Sequence, residues 1–387
     1  MILNVNKKKI WLSTPHMGGN EIKYIQQAFD TNWIAPVGNN LLELEQDLEQ
    51  YLQSSAQVTL LNSGTAAIHL GLVLLGVQAG DEVICQSLTF SASANPILYL
   101  KAIPVFIDSE LETWNLCPIA LEEAIVDRIS KGKKPKAIIA VDLYGMPYQV
   151  EAVRTVADKY SIPILEDSAE ALGSTYKGKK CGTFGDIAVF SFNGSKIITT
   201  SGGGVIITKE KSLKEKALFL ATQSQDKGVP HYQHSEIGYN YRMSNISAGI
   251  GRGQMEVLNI NLALRKKIHQ FYINLFKDIT GVTVFDAPTD DYCSNYWLTT
   301  IVIETSLTRG ISREDVRLAL LEENIESRPV MKPMHLQPLF KKFPYYGGNI
   351  ASKLFENGLC LPSGSNLSKE ECERIKTVIL ALFKEVA

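Results

Sequence analysis

Three short stretches of this sequence bring together residue types that could do chemistry. The first, Asn62-Ser63-Gly64-Thr65-Ala66-Ala67, lies between the apolar run VTLL and a helical pattern. Gly64 lets the backbone approach a ligand closely, and Thr65 offers a hydroxyl and an N–H at the positive end of a helix. That combination suits a phosphate, and it equally suits an ordinary helix cap. The second, Ile164 to Glu170 (ILEDSAE), ends an apolar run in carboxylates. A carboxylate held there can pair with a protonated ring nitrogen, bind Mg²⁺ or cap the next helix. The third, FSFNGSKIITTSGGG from Phe190 to Gly204, holds a single charged residue, Lys196. A lysine among apolar and small polar neighbours is what Schiff-base chemistry requires, because partial desolvation frees the amine lone pair, although most isolated lysines are simply solvated. The glycines at 202–204 follow neither GxGxxG nor a Walker loop, and they read as a tight turn into a strand at Val205 to Thr208.

The surrounding elements must place these loops at one edge. Short β-rich runs, VTLLN, DEVICQ, IPVFID, KAIIAVDLYG, IPILED and IAVFSF, alternate with helical stretches at Thr65 to Leu75, Leu121 to Ile129 and Val150 to Tyr160. This alternation predicts an α/β domain with a mostly parallel sheet covered on both faces, from about Gln57 to about Thr208. Ligands of such sheets bind beyond the carboxyl ends of the strands, where the three stretches fall. Upstream, Glu21 to Phe29 and Leu41 to Leu52 carry helical periodicity around a loop at Asn32 to Asn40 containing Trp33 and Pro36. Downstream, one long helix is expected from Asn245 to Phe276, then a strand at Tyr296 to Glu304 and helices at Ser312 to Leu321 and Ser368 to Val386. The expected organisation is an N-terminal segment over 1–20, a large domain over 21–250, and a linking helix with a small C-terminal α/β domain over 251–387.

Composition limits the partners. The 387 residues include 39 Lys plus Arg against 41 Asp plus Glu, so there is no bulk positive field for nucleic acid or anionic lipid. With 45% apolar and 21% charged residues, wholesale disorder is excluded. Cys85, Cys117, Cys181, Cys293, Cys360 and Cys372 form no CxxC pair, so neither zinc nor a disulfide framework is expected. The opening MILNVNKKKIWLS lacks a signal-length apolar run, and no apolar run reaches the roughly 18 residues of a membrane span. A reduced, cytoplasmic protein acting on small molecules, with no metal, is expected.

NSGTAA, EDSAEALG and SFNGSKIITTSGGG, in that order, resemble the DegT-like sugar aminotransferases, which are pyridoxal 5′-phosphate (PLP) enzymes of fold type I. LSTPHMGGNE, NWIAPVG, VDLYGMP, IGYNYRMSNI, SRPVMKPMH and CLPSG look like family segments in family order, so the resemblance covers essentially the whole chain. It implies an aspartate-aminotransferase-like architecture, with a large, mostly parallel, seven-stranded-type sheet. FNGSKIITTSGGG, where many members read GEGG, resembles the branch that makes UDP-N-acetylbacillosamine precursors, and PHMGGNE and CLPSG point the same way.

The resemblance also implies roles. Lys196 would bond to the PLP aldehyde and then shuttle a proton between the cofactor's C4′ and the substrate carbon. Asp167 would pair with the pyridinium nitrogen. Gly64, Thr65 and Ser191 would hold the phosphate, and Phe90, in SLTFSAS, would stack on the ring. Glu170, where many relatives carry glutamine, would lie near the 3′ oxygen, and Asn240 would reach the phosphate of the neighbouring subunit, making a homodimer with shared sites obligatory. Trp33, Asn193, Arg328 and His335 are candidates for binding the sugar nucleotide. On their residue types alone, Phe90 and Trp33 suit packing, Asn240 a turn, Arg328 the surface, and His335 packing or the surface.

The activity implied is transfer of an amino group from L-glutamate to the C4 keto group of a UDP-2-acetamido-2,6-dideoxy-4-ketohexose, for bacterial glycan synthesis. The rivals are the same chemistry on a dTDP-, GDP- or other UDP-linked ketosugar at C3 or C4, and a non-catalytic binding protein on the same fold. A PLP sugar dehydratase is disfavoured, since its pattern replaces the lysine with histidine, and a nicotinamide enzyme is disfavoured by the absence of GxGxxG.

Overall fold

The computed structural model describes residues 7–53 and 55–384. Its main sheet has eight strands, in the order Gln57–Leu61, Gly204–Thr208, Ile187–Ser191, Ile164–Asp167, Ala137–Val141, Glu82–Gln86, Ile103–Ile107 and Tyr345–Tyr346. From Ile187–Ser191 to the Tyr345–Tyr346 edge every pairing is parallel, whereas Gly204–Thr208 runs antiparallel to both its neighbours. The inner strands are buried on both faces, which is why they read as unbroken apolar runs. Helices Gly64–Leu74, Ser91–Tyr99 and Lys211–Ala221 cover one face through Ile68, Ile97 and Ala217. Pro118–Ser130 and Val150–Tyr160 cover the other through Leu121 and Val153.

The eighth strand departs from the seven-stranded expectation. Tyr345–Tyr346 comes from the C-terminal part of the chain and pairs with Phe106 and Ile107, so that part closes an edge of the large sheet. It also builds a four-stranded antiparallel sheet in the order Val282–Val284, Thr299–Ile303, Gly358–Leu361 and Arg328–Pro329. This packs with helices Arg313–Glu322 and Lys369–Lys384 around Tyr272, Ile301, Leu320, Leu359 and Ile375. Ile10, from the N-terminal segment, inserts into the same core and bridges to Ile325. Residues 1–6 and 385–387, which fall in the expected N-terminal segment and terminal helix, lie outside the described residues.

Two elements differ from their sequence pattern. The single long helix expected from Asn245 is two, Asn245–Glu256 and Leu258–Phe276, interrupted at Val257, which sits at φ −108° and ψ 5°. The strand expected from Tyr296 begins only at Thr299, because Tyr296 turns through a left-handed φ of 49°. All six cysteines are free, and no helix among the described residues is long and apolar enough to cross a membrane.

The second stretch of the sequence contains a carboxylate that serves the fold. On the strand Ile164–Asp167 adjacent side chains point to opposite faces, and Glu166 is directed at the turn 182–185. It accepts the Gly182, Phe184 and Gly185 amides at 2.6, 2.7 and 2.8 Å. The Ser168 hydroxyl lies 2.9 Å from Glu166 and 2.6 Å from Asp142. One hydroxyl proton cannot serve two carboxylates, and burial together with the Glu166 charge pushes the Asp142 carboxyl well above its usual range. Burial raises the Glu166 carboxyl as well, but there three backbone amides oppose the rise. Glu166→Ala would orphan three amides and lower stability by about 3 kcal/mol, read as a lower urea midpoint; an unchanged midpoint would contradict this assignment.

Candidate active site

The carboxyl ends of the parallel strands open on a cleft of about 260 Å³. Gly64, Thr65, Phe90, Asp167, Glu170, Ser191, Asn193 and Lys196 all line it, joined by residues the sequence reading did not single out: Ser93, Trp297 and Met331. The three stretches thus converge on one space.

Each side chain is set by its own element. Helix Gly64–Leu74 starts beneath the cleft, with the Ser63 hydroxyl accepting the Ala66 amide as N-cap. A Cβ on Gly64 would stand 3.0 Å from the Ser191 Cβ and 3.2 Å from its Oγ. Glycine at this point leaves open the space between a helix N-terminus and a serine hydroxyl, a cradle of the kind that fits a phosphate. Asp167 ends its strand at the cleft, buried, and accepts the Ser93 hydroxyl at 2.6 Å and the Ala169 amide at 3.2 Å. Burial raises its carboxyl pKa; the Ser93 hydroxyl, the Ala169 amide and the Lys196 charge oppose that rise.

Glu170, also buried, divides its two oxygens. Oε2 accepts the Tyr144 amide at 2.7 Å, and Oε1 lies 3.1 Å from Lys196 Nζ. Burial raises the Glu170 carboxyl pKa and the Lys196 charge opposes it. Lys196 is shielded as the sequence suggested, and its Nζ sits 3.9 Å from the centroid of the Trp297 ring. Phe90 is largely exposed at the mouth, and Asn193, with its side chain accepting the Gly194 amide at 2.6 Å, forms the turn before the lysine.

The remaining candidates lie elsewhere. His335 does not line the cleft: it bonds Ser87 Oγ at 2.7 Å and stacks on Tyr345 at 3.8 Å, with burial holding its imidazole pKa below the ordinary value. Arg328 is exposed and forks onto Glu326 Oε1 at 3.0 and 2.8 Å. Trp33 stands on an exposed apolar face with Val37, Leu42 and Leu218. Asn240 is exposed outside the cleft of its own chain, held by its backbone bridge to Thr222 and by the Asn62 side chain on its carbonyl. Ser93 had a faint signal in the sequence, three residues after Phe90 in SLTFSAS. Trp297 had none, since its approach depends on the left-handed turn at Tyr296.

The DegT/DnrJ/EryC1/StrS aminotransferase family matches residues 15–380. The chain belongs to this family. It is 49% identical over 386 residues to EpsN of Bacillus subtilis, described as a pyridoxal phosphate-dependent aminotransferase, covering 98% of this chain and 97% of that one. It is 37% identical over 374 residues to GDP-perosamine synthase of Escherichia coli O157:H7, covering 95% and 98%. Among solved structures, a sugar aminotransferase of Streptococcus pneumoniae in its PLP form superposes with a TM-score of 0.88 at 29% identity, covering 98% of this chain and 100% of that one. This family member is a PLP-dependent transaminase of fold type I, acting on nucleotide sugars.

The residues present fit that cofactor. A buried carboxylate, a shielded amine and a glycine-opened cradle at a helix N-terminus lie within one cleft. Lys196 would hold the aldehyde end, Asp167 the ring nitrogen, and Gly64, Thr65 and Ser191 the phosphate. Ser93→Ala removes a donor that lowers the Asp167 pKa, so that carboxyl rises further and needs a higher pH to ionise. The acid limb of the kcat/KM profile then moves to higher pH, by roughly one unit for about 1.4 kcal/mol of lost interaction; an unmoved limb would separate Ser93 from Asp167.

Proposed function

We propose that this transaminase takes its amino group from L-glutamate and delivers it to the C4 keto carbon of a UDP-linked 2-acetamido-2,6-dideoxy-4-ketohexose. The observation that carries the chemistry is the shielded Lys196 amine, 3.1 Å from Glu170 in the cleft that also holds the Asp167 carboxylate. PLP, when bound, supplies an aldehyde that condenses with amines and a ring that withdraws electrons from the bond to be broken. The protein supplies the rest. Asp167, anchored by Ser93, holds a proton on the ring nitrogen. Lys196 is the base that takes the proton from the glutamate α-carbon and returns it to the cofactor's C4′. Glu170 keeps that amine within reach, and the donor leaves as 2-oxoglutarate before the ketosugar enters, a ping-pong order. The UDP-linked substrate rests on the wording FNGSKIITTSGGG, PHMGGNE and CLPSG, and GDP-perosamine synthase among the relatives makes a GDP-linked ketosugar the rival.

The working unit we propose is a homodimer with shared sites. Trp33, Val37, Leu42 and Leu218 are exposed on one face around a groove that Thr222 also lines, and Thr222 bridges to Asn240. An apolar face of this kind suits a second copy, which would cover it and carry Asn240 to the partner's phosphate.

Lys196→Ala should abolish turnover, at least about 1000-fold, while the thermal transition persists; retained activity would contradict the reading. A panel of UDP-, dTDP- and GDP-linked ketosugars assayed with glutamate should show the highest kcat/KM for the UDP-4-keto-6-deoxy-N-acetylhexosamine, and preference for another nucleotide would move the assignment to that sugar. Mixing Lys196→Ala with Asn240→Ala protein should restore activity, because each mixed dimer carries one complete site. No restoration would contradict the shared site.

A further inference from the structure

The tripeptide Asn295-Tyr296-Trp297 connects the C-terminal part of the chain to the reacting amine. Its centre is strained: Tyr296 adopts φ 49°, a conformation a bulky aromatic rarely holds without compensation. The compensation is visible. The Tyr296 ring stacks on His269, with centroids 3.8 Å apart and planes at 15°, and its hydroxyl donates to Asp286 Oδ1 at 2.9 Å. Arg265, fully buried on the helix Leu258–Phe276, donates to the Trp297 carbonyl at 2.6 Å.

Held this way, both flanking side chains reach the loops of the active site. Asn295 donates through Nδ2 to the Glu170 and Leu172 carbonyls at 2.8 and 2.9 Å and accepts the Trp297 amide at 2.8 Å. The opposing chain is built for that approach: a Cβ on Gly145, itself at φ 88°, would fall 1.9 Å from Asn295 Oδ1. Trp297 donates its indole N–H to the Ser195 carbonyl at 2.7 Å, one residue before the lysine, and its ring lies 3.9 Å from Lys196 Nζ.

We propose that this tripeptide is a clasp that sets where the Lys196 amine rests whenever it is free of the cofactor, with Trp297 as its positioning residue. The inference rests on the reading of Lys196 as the proton-moving amine. A π face attracts an ammonium but has no lone pair to take its proton. The indole therefore holds the lysine in place while leaving the proton available for delivery, and Asn295 keeps the loop bearing Glu170 in register with it.

The test uses holoenzyme converted by glutamate to the pyridoxamine-phosphate form, in which the lysine is free. After reductive ¹³C-methylation, the Lys196 resonance, assigned by its absence in Lys196→Ala, should show an upfield ring-current shift that Trp297→Leu abolishes and Trp297→Phe partly keeps. By stopped flow, Trp297→Leu should slow the glutamate half-reaction by up to about 100-fold and raise the isotope effect with 2-deuterated glutamate, while PLP affinity is unchanged. A Lys196 resonance at the ordinary lysine position in the wild type would overturn the clasp, as would an unaltered isotope effect in Trp297→Leu. If Trp297→Leu does not fold, the wild-type shift and the Trp297→Phe kinetics decide by the same criteria. Turnover by Lys196→Ala would instead overturn the role of the lysine on which the proposal rests.

Discussion

The ion pair between the shielded Lys196 and Glu170, 3.1 Å apart in the cleft, is the interaction on which the site depends. An amine with the proposed task of bonding a carbonyl and carrying a proton cannot be left freely solvated, and it cannot be buried alone without a large cost. One carboxylate beside it and one aromatic face over it meet both requirements. The stretch Glu166 to Glu170 sorts its acids by their partners. Glu166 is consumed by three amides of the turn 182–185, Asp167 by Ser93 and the ring it would face, and Glu170 by the lysine. Three carboxylates within five residues thus do three jobs, because strand pleat and chain reversal send each to a different neighbour.

The parallel sheet explains why these groups meet. All its strands but Gly204–Thr208 end on one side, so Ser191, Asp167 and the helix start at Gly64 arrive together although more than 100 residues separate the first from the last. The C-terminal part of the chain is more than an appendage to that sheet. It gives the edge strand Tyr345–Tyr346 and the indole of Trp297, so the amine is enclosed by both parts of the chain.

Much of this was legible in the sequence. Unbroken apolar runs such as AIIAV marked the buried strands, and Ser63, Gly64 and Thr65 marked a helix start able to hold an anion. The lone charge at Lys196 marked a lysine that the structure shields beside Glu170, while its proposed role came from the family resemblance. What stayed hidden depends on non-local geometry. The left-handed turn at Tyr296 breaks a stretch whose composition reads as strand, and stacking on His269 and bonding to Asp286 help to hold it. The break at Val257 was equally silent, because its neighbours keep helical periodicity on both sides. His335 and Arg328 sit in a family-like segment, yet their side chains are taken by Ser87 and Glu326, partners more than 200 residues away in one case and two in the other.

The central claim, that position 196 carries the cofactor covalently, is tested most directly by reducing the PLP-loaded enzyme with borohydride and mapping the phosphopyridoxyl group by peptide mass spectrometry. The account predicts a single modified lysine, in the peptide spanning Asn193 to Thr199. Modification at another lysine, or a cofactor that dialyses away unreduced, would contradict it.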